Sequence, residues 1–227
     1  MRSVSGCGVL WKCQNWIRRK WEPLQARRCM DKERSEKSLV TEAELIRRAR
    51  TGDDAAITLL VEQHQEAVFR LAYLLLGDAG DADDVAQETF LHAFRSLDRF
   101  DASRPLRPWL LTITRNLARN RWRSMKRYLA MARRAGRSVD EIIRRTEPDE
   151  IRRWEAQALR EAVARLDTAD QEVIYLRFFL EMSVEETADV LNVAPGTVKS
   201  RLHRALSRLR GVVAADFPVL WRESGDD

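Results

Sequence analysis

Apolar residues along this chain recur at intervals of three and four, the spacing of one face of a helix, and almost nowhere alternate as a strand would require. The clearest case is residues 182–210, MSVEETADVLNVAPGTVKSRLHRALSRLR. Ser183 is placed to cap a first helix, with Glu186 three residues on completing a capping box. Ala188, Val190 and Leu191 supply apolar contacts before a turn at Asn192 and Val193. Pro195 falls in the first turn of a second helix, where its missing N–H costs nothing. Val198, Leu202, Ala205, Leu206 and Leu209 mark the buried face of that second helix.

The same reading predicts four helices upstream. Thr41 with Glu44 forms a capping box for a helix through Arg50. Asp53 or Asp54 caps a long helix to about Leu76, with Leu60, Ala67, Leu71 and Leu75 along one side and Gly77 as its stop. Asp81 with Asp84 caps a third helix to about Leu97. A loop with two prolines, DRFDASRPLRP (98–108), precedes a fourth helix from Pro108 or Trp109 to about Met125, which buries Leu110, Ile113 and Leu117. A second helical unit runs from about Glu150 to Val213, with Leu159, Val163, Leu166, Val173, Ile174 and Leu176 inside. Hairpin signals are weak, so the fold class is all-α: two small helical domains, the C-terminal one containing a helix-turn-helix, joined by a flexible basic linker. The expected boundaries are an extension over 1–38, a first domain over 39–125, a linker over 126–149, a second domain over 150–213 and a tail over 214–227. In that tail Phe217, Leu220 and Trp221 are candidates to dock back on a helix.

Charge changes this picture more than composition does. The net charge is only +5, but residues 1–30 are basic, 78–88 acidic and 119–145 basic again. Segregation of that kind implies a nucleic-acid partner and a separate protein partner. No apolar run is long enough to span a bilayer, and residues 1–30 lack the apolar core of a secretory signal. The expectation is a cytoplasmic protein without stable membrane insertion. Cys7, Cys13 and Cys29 match no C-x-x-C pair and lie far in sequence from His64, His92 and His203. No metal, cofactor or small-molecule substrate is expected. The Trp- and Cys-bearing residues before Met30 contrast with everything downstream.

Three constellations are candidates for binding chemistry. In the C-terminal helix Lys199, Arg201, His203, Arg204 and Arg208 lie largely off the apolar face, and no acid occurs between Asp189 and Asp216. A short turn leading into an unopposed basic helix suits the duplex major groove better than a merely solvated face. Asp81, Asp83, Asp84 and Glu88 crowd the start of the third helix beside Gln87 and Leu91, more acids than complementing a helix dipole requires. Such a face fits a basic partner surface. From the proline loop onward, Arg99, Arg104, Arg107, Arg115, Arg119, Arg121 and Arg123 interleave with Phe100, Trp109, Trp122, Asn116 and Asn120. Rings stack on exposed bases and amides bond base edges, so this set suits single-stranded nucleic acid, with at least one of Phe100 and Trp109 belonging to the core.

Taken with DADDVAQETFLHAFRSLDRF (81–100), PWLLTITRNLARNRWR (108–123) and the run from Leu159 to Arg210, the sequence resembles the extracytoplasmic-function sigma factors of bacterial RNA polymerase. The resemblance implies sigma regions two and four and a non-enzymatic role in transcription initiation. It implies that Asp83, Asp84, Gln87, Glu88 and Leu91 engage core RNA polymerase. It further implies that the loop 98–107 and the next helix capture the unpaired −10 strand, with Phe100, Arg104, Arg107, Trp109, Asn116, Arg119, Asn120 and Arg123 as contacts. Lys199, Ser200, His203 and Arg204 would face −35 bases, and Thr197, Arg201 and Arg208 phosphates of the promoter DNA. An anti-sigma factor is an implied partner. The loop DASRPLRP departs from family members that carry a glycine and an acid after the phenylalanine. A helix-turn-helix regulator that is not a polymerase subunit is the alternative reading, and a metal enzyme built on the acidic cluster is a third.

Overall fold

The computed structural model describes residues 41–134 and 152–216, which form two compact units. The expectations for 1–38, for the linker from 135 to 149 and for the tail beyond Asp216 lie outside the described residues. Every regular element among the described residues is helical.

The first unit opens with α1 (Glu42–Arg50), capped by Thr41, whose hydroxyl accepts from the Glu44 amide at 3.3 Å. The reciprocal half of the expected box is replaced. Glu44 instead receives Arg47 Nε and Nη2 at 2.8 and 2.6 Å, and that hydrogen bond holds its carboxyl below the ordinary range. Asp53 caps α2 (Asp54–Leu76), accepting from the amides of Ala55 and Ala56 at 3.0 and 3.2 Å. Helix α2 ends where Gly77 adopts φ 76°, a left-handed conformation that costs a glycine little, and its N–H returns to the Tyr73 carbonyl at 2.8 Å. The chain reverses at once into α3 (Ala79–Ser96). Its cap is Asp78, not Asp81 as expected: Asp78 Oδ1 accepts from the Asp81 amide at 2.8 Å. A 3₁₀ turn, Leu97–Arg99, leads to the loop, and α4 (Leu106–Arg134) begins before Pro108 and runs nine residues past Met125. The first part of the expected linker is therefore helix.

Helices α2, α3 and α4 pack on one another, with α1 laid against α2. Leu45, Ile46, Leu60, Val68, Leu71, Ala72, Val85, Leu110, Leu111 and Ala118 fill the interior. Each fully buried leucine or isoleucine contributes about 1.5–3 kcal/mol relative to exposure. Leu60, Leu71 and Leu110 are buried as expected, but the rest of the two inward faces falls one position further on. Ala67, Leu75, Ile113 and Leu117 are only half-buried, while Val68, Ala72, Leu111, Thr114 and Ala118 take the core positions. Apolar residues occupy adjacent positions in both helices, so periodicity alone does not choose between faces.

The second unit comprises α5 (Arg152–Ala164), α6 (Thr168–Ile174), a π-helical turn (Tyr175–Phe179), α7 (Val184–Leu191) and α8 (Pro195–Asp216). All six residues named for its core are buried. Asp167 caps α6 through the Asp170 amide at 2.9 Å. The π turn sets Tyr175 and Phe179 edge to face with centroids 5.3 Å apart, and burial pushes the Tyr175 phenol up to about 12. The Ser183–Glu186 box is present in both directions, at 3.0 and 2.7 Å. Asn192 ends α7 at φ 54°, a left-handed position that asparagine tolerates.

Candidate nucleic-acid and protein interfaces

Three exposed faces result, two on the first unit and one on the second. Along α3, burial of Ala82, Val85, Thr89 and Ala93 against the bundle leaves Asp83, Asp84, Gln87, Glu88 and Leu91 outward. Positions 83, 84, 87, 88 and 91 follow helical spacing, so they form one continuous face. Leu91 is 56 % exposed, an apolar side chain among carboxylates and an amide. That mixture is what a partner surface needs and a purely solvated face does not. Asp81 has a different job. It accepts from Arg121 of α4 at 3.0 and 2.6 Å, and Asp84 accepts from the same guanidinium at 3.1 Å. Asp81 first, then Asp84, pushes the Arg121 guanidinium further up. Arg121 is thus tied to α3.

The second face lies on α4 and the loop before it. Phe100 is 8 % exposed and packs on Trp109 with ring centroids 4.7 Å apart, so it anchors the loop to the core. Phe100 is thus the ring of the pair that belongs to the core, as expected of at least one of them, and its burial takes it out of the set expected to meet the −10 strand. Trp109 is half-buried. Asn116, Asn120 and Arg123 are exposed, Arg104 is exposed, and Arg107 and Arg119 are half-buried. Asn116, Asn120 and Arg123, spaced by four and three, share a face of α4. Trp122 is 38 % exposed with Lys126 Nζ over its ring at 4.9 Å, a cation–π contact that the sequence did not single out. The loop is internally braced: Asp101 Oδ1 accepts from the amide and hydroxyl of Ser103 at 3.0 and 2.8 Å, and its carbonyl accepts from the Arg104 amide at 3.0 Å. The Ser103 hydroxyl is the main reason the Asp101 carboxyl lies below its ordinary range.

The third face is α8. Val198, Leu202, Ala205, Leu206 and Leu209 are buried, all five as the spacing predicts. Lys199, Ser200, His203 and Arg204 point outward, while Thr197 and Arg201 are half-buried beside them. Arg208 departs from its expected role. Its Nη1 donates to Asp167 at 2.8 Å and to Asp170 at 2.5 Å, and Asp170 is 3 % exposed. Arg208 therefore clasps α8 to the start of α6. Arg208→Ala is expected to lower the melting temperature of the second unit, because a buried carboxylate loses its cation. The salt slope of duplex binding should stay unchanged. A shallower slope with unaltered melting would return Arg208 to the phosphate contacts.

The description of sigma-70 region 2 matches residues 60–128, and that of sigma-70 region 4 matches residues 156–209. The ECF RNA polymerase sigma factor SigW of Bacillus subtilis is 30 % identical over 173 residues, covering 73 % of this chain and 92 % of SigW. The chain belongs to the ECF sigma factors. SigL of Mycobacterium tuberculosis is 34 % identical over 166 residues, covering 71 % and 91 % of the two chains. BldN of Streptomyces coelicolor is 33 % identical over 174 residues, and this chain spans 66 % of its length. Among solved structures, the ECF sigma fold is shared with CnrH in complex with the cytosolic domain of CnrY, at a TM-score of 0.60 and 30 % identity over 77 % of this chain and 98 % of that one. RpoE of Bartonella quintana, solved with the anti-sigma factor NepR, gives 0.57 and 25 % identity over 70 % and 97 %. Promoter recognition in transcription initiation is accordingly the function of this sigma factor. No helix among the described residues is long and apolar enough to cross a membrane.

Proposed function

We propose that the sigma factor divides its work among the three faces and catalyses no reaction of its own. The α3 face binds a basic surface of core RNA polymerase in the cytoplasm. The α4 face and loop 98–105 hold the unpaired −10 strand, through Arg107, Trp109, Asn116, Arg119, Asn120 and Arg123 of the helix and Arg104 of the loop. The α8 face reads the −35 duplex, with Lys199, Ser200, His203 and Arg204 toward base edges and Thr197 and Arg201 toward phosphates. Joining the two DNA-reading units in one chain makes affinity depend on both sites lying at compatible spacing. An anti-sigma factor that covers these faces would silence the protein, as the partners solved with CnrH and RpoE encourage one to expect.

The observation that carries this reading is the joint exposure of Asp83, Asp84, Gln87, Glu88 and Leu91 on one face of α3. A helix-turn-helix regulator has no use for such a face in the same unit as an Asn- and Arg-bearing strand reader. Binding of a single-stranded −10 oligonucleotide by the holoenzyme tests the second face. Asn116→Ala with Asn120→Ala should weaken it about tenfold, the effect of losing a good base contact. Unchanged affinity would remove α4 from strand recognition.

A further inference from the structure

Helix α1 lies ahead of the segment matched by region 2, yet its two ends grip both ends of the loop before α4. At one end, Glu42 Oε2 accepts from the Leu106 amide at 3.0 Å. Leu106 is the first residue of α4, so that amide is one of the donors a helix start leaves without an internal partner. Glu42 caps α4 from another helix. Its other oxygen lies 3.1 Å from His64 Nε2 on α2, and this hydrogen bond is the main cause of a carboxyl held below its ordinary range. At the other end of α1, Arg50 Nε donates to the Leu97 carbonyl at 3.2 Å, and its Nη2 donates to the Phe100 carbonyl. One guanidinium fork thus spans the 3₁₀ turn that launches the loop. A lysine, with a single ammonium, lacks that planar two-point geometry.

Between these grips the loop carries its own Asp101–Ser103 and Asp101–Arg104 bonds, and Phe100 is seated on Trp109. The loop is therefore ordered before any strand arrives. A preordered loop avoids the cost of ordering at the moment of binding, and a rigid one tolerates a mismatched strand less well than a loop free to adapt.

We propose that Glu42 and Arg50 are positioning residues for promoter recognition, α1 serving as a brace that sets the shape in which loop 98–105 meets the unpaired strand. The proposal rests on the assignment of that loop and α4 to the −10 strand. Neither residue lies on the α3 or α8 face. Their loss should act on strand discrimination and leave polymerase and duplex binding in place.

The test uses full-length protein reconstituted with core polymerase. The readout is the ratio of affinities for a matching −10 single strand and a scrambled one, beside core affinity and −35 duplex affinity. Arg50→Ala and Glu42→Ala should each lower the ratio by about tenfold, the effect of losing a hydrogen bond that involves a charged group, with core and duplex affinities within about twofold of wild type. Arg50→Lys keeps the charge and the stem, which guards against simple misfolding, and should lower the ratio as well. An unchanged ratio in all three variants, while Asn116→Ala with Asn120→Ala collapses it, overturns the brace and leaves strand reading standing. An unchanged ratio in the Asn pair as well removes the strand-reading assignment, and the brace with it. A parallel fall of ratio, core affinity and melting temperature in Arg50→Lys would make α1 a structural clasp only, which also overturns the proposal.

Discussion

Replacing Asp83 and Glu88 together by lysine is expected to abolish association with core polymerase while the first unit stays folded. Both side chains are exposed on α3, so neither contributes packing that its replacement would remove. Asp83 is preferred to Asp84 because Asp84 shares Arg121 with Asp81 and its loss would disturb the α3–α4 contact. Close charge pairs across protein interfaces are worth about 1.5–7 kcal/mol, and reversal adds repulsion to the loss. Two reversals on one face should cost more than about 4 kcal/mol, a thousandfold in affinity. Co-purification of tagged protein with core checks this directly, with the melting curve as control. Retention at unchanged affinity and unchanged melting would remove the face from the polymerase interface.

The other large expected effect is at α8. Arg204→Ala should weaken binding to the cognate −35 duplex by about 1–3 kcal/mol and relax selectivity at one base pair, because an arginine facing a guanine edge can satisfy both acceptors. Arg204 is well placed for such a role: it is exposed, one turn beyond Ser200, and its Nε donates a long bond to the Ser200 carbonyl at 3.4 Å. Competition between cognate and random duplex separates the outcomes. Equal loss on both sequences, with a salt slope smaller by about one, would make it a phosphate contact.

The second unit was legible in the sequence because its signals agree. The Ser183–Glu186 box, the Asn192 turn and five apolar positions on α8 all indicate one packing, and the structure has it. The start of α3 was not legible. Four aspartates within seven residues offer several caps, and only the sharp reversal at Gly77 makes Asp78 the one that reaches the Asp81 amide. The length of α4 was underread for a related reason. Residues 126–134 are rich in arginine, lysine and alanine, which form helix well without an apolar stripe for periodicity to detect. The π turn at Tyr175–Phe179 has no local signature in YLRFF that separates it from ordinary helix.

At the sites, the exposure of Asp83, Asp84, Gln87, Glu88 and Leu91 on one side of α3 was legible, since exposure on a helix follows from spacing. Partners distant in sequence did not emerge. Arg208 was counted with the DNA contacts because nothing local shows Asp167 and Asp170 across from it. At least one of Phe100 and Trp109 is expected in the core, and only the tertiary packing shows that it is Phe100. Glu42 and Arg50 gave no signal at all, because their partners, the Leu106 amide and the Leu97 and Phe100 carbonyls, are backbone groups 47 to 64 residues away.

In vitro transcription with purified core polymerase and this protein as the sole sigma factor, on fragmented genomic DNA with start sites mapped, tests the whole account. The expected result is initiation from a discrete set of start sites that share one −35 and one −10 element at fixed spacing. The Asp83→Lys, Glu88→Lys variant should yield no transcripts. Duplex binding by the protein without any core-dependent start sites would contradict the account and favour a helix-turn-helix regulator.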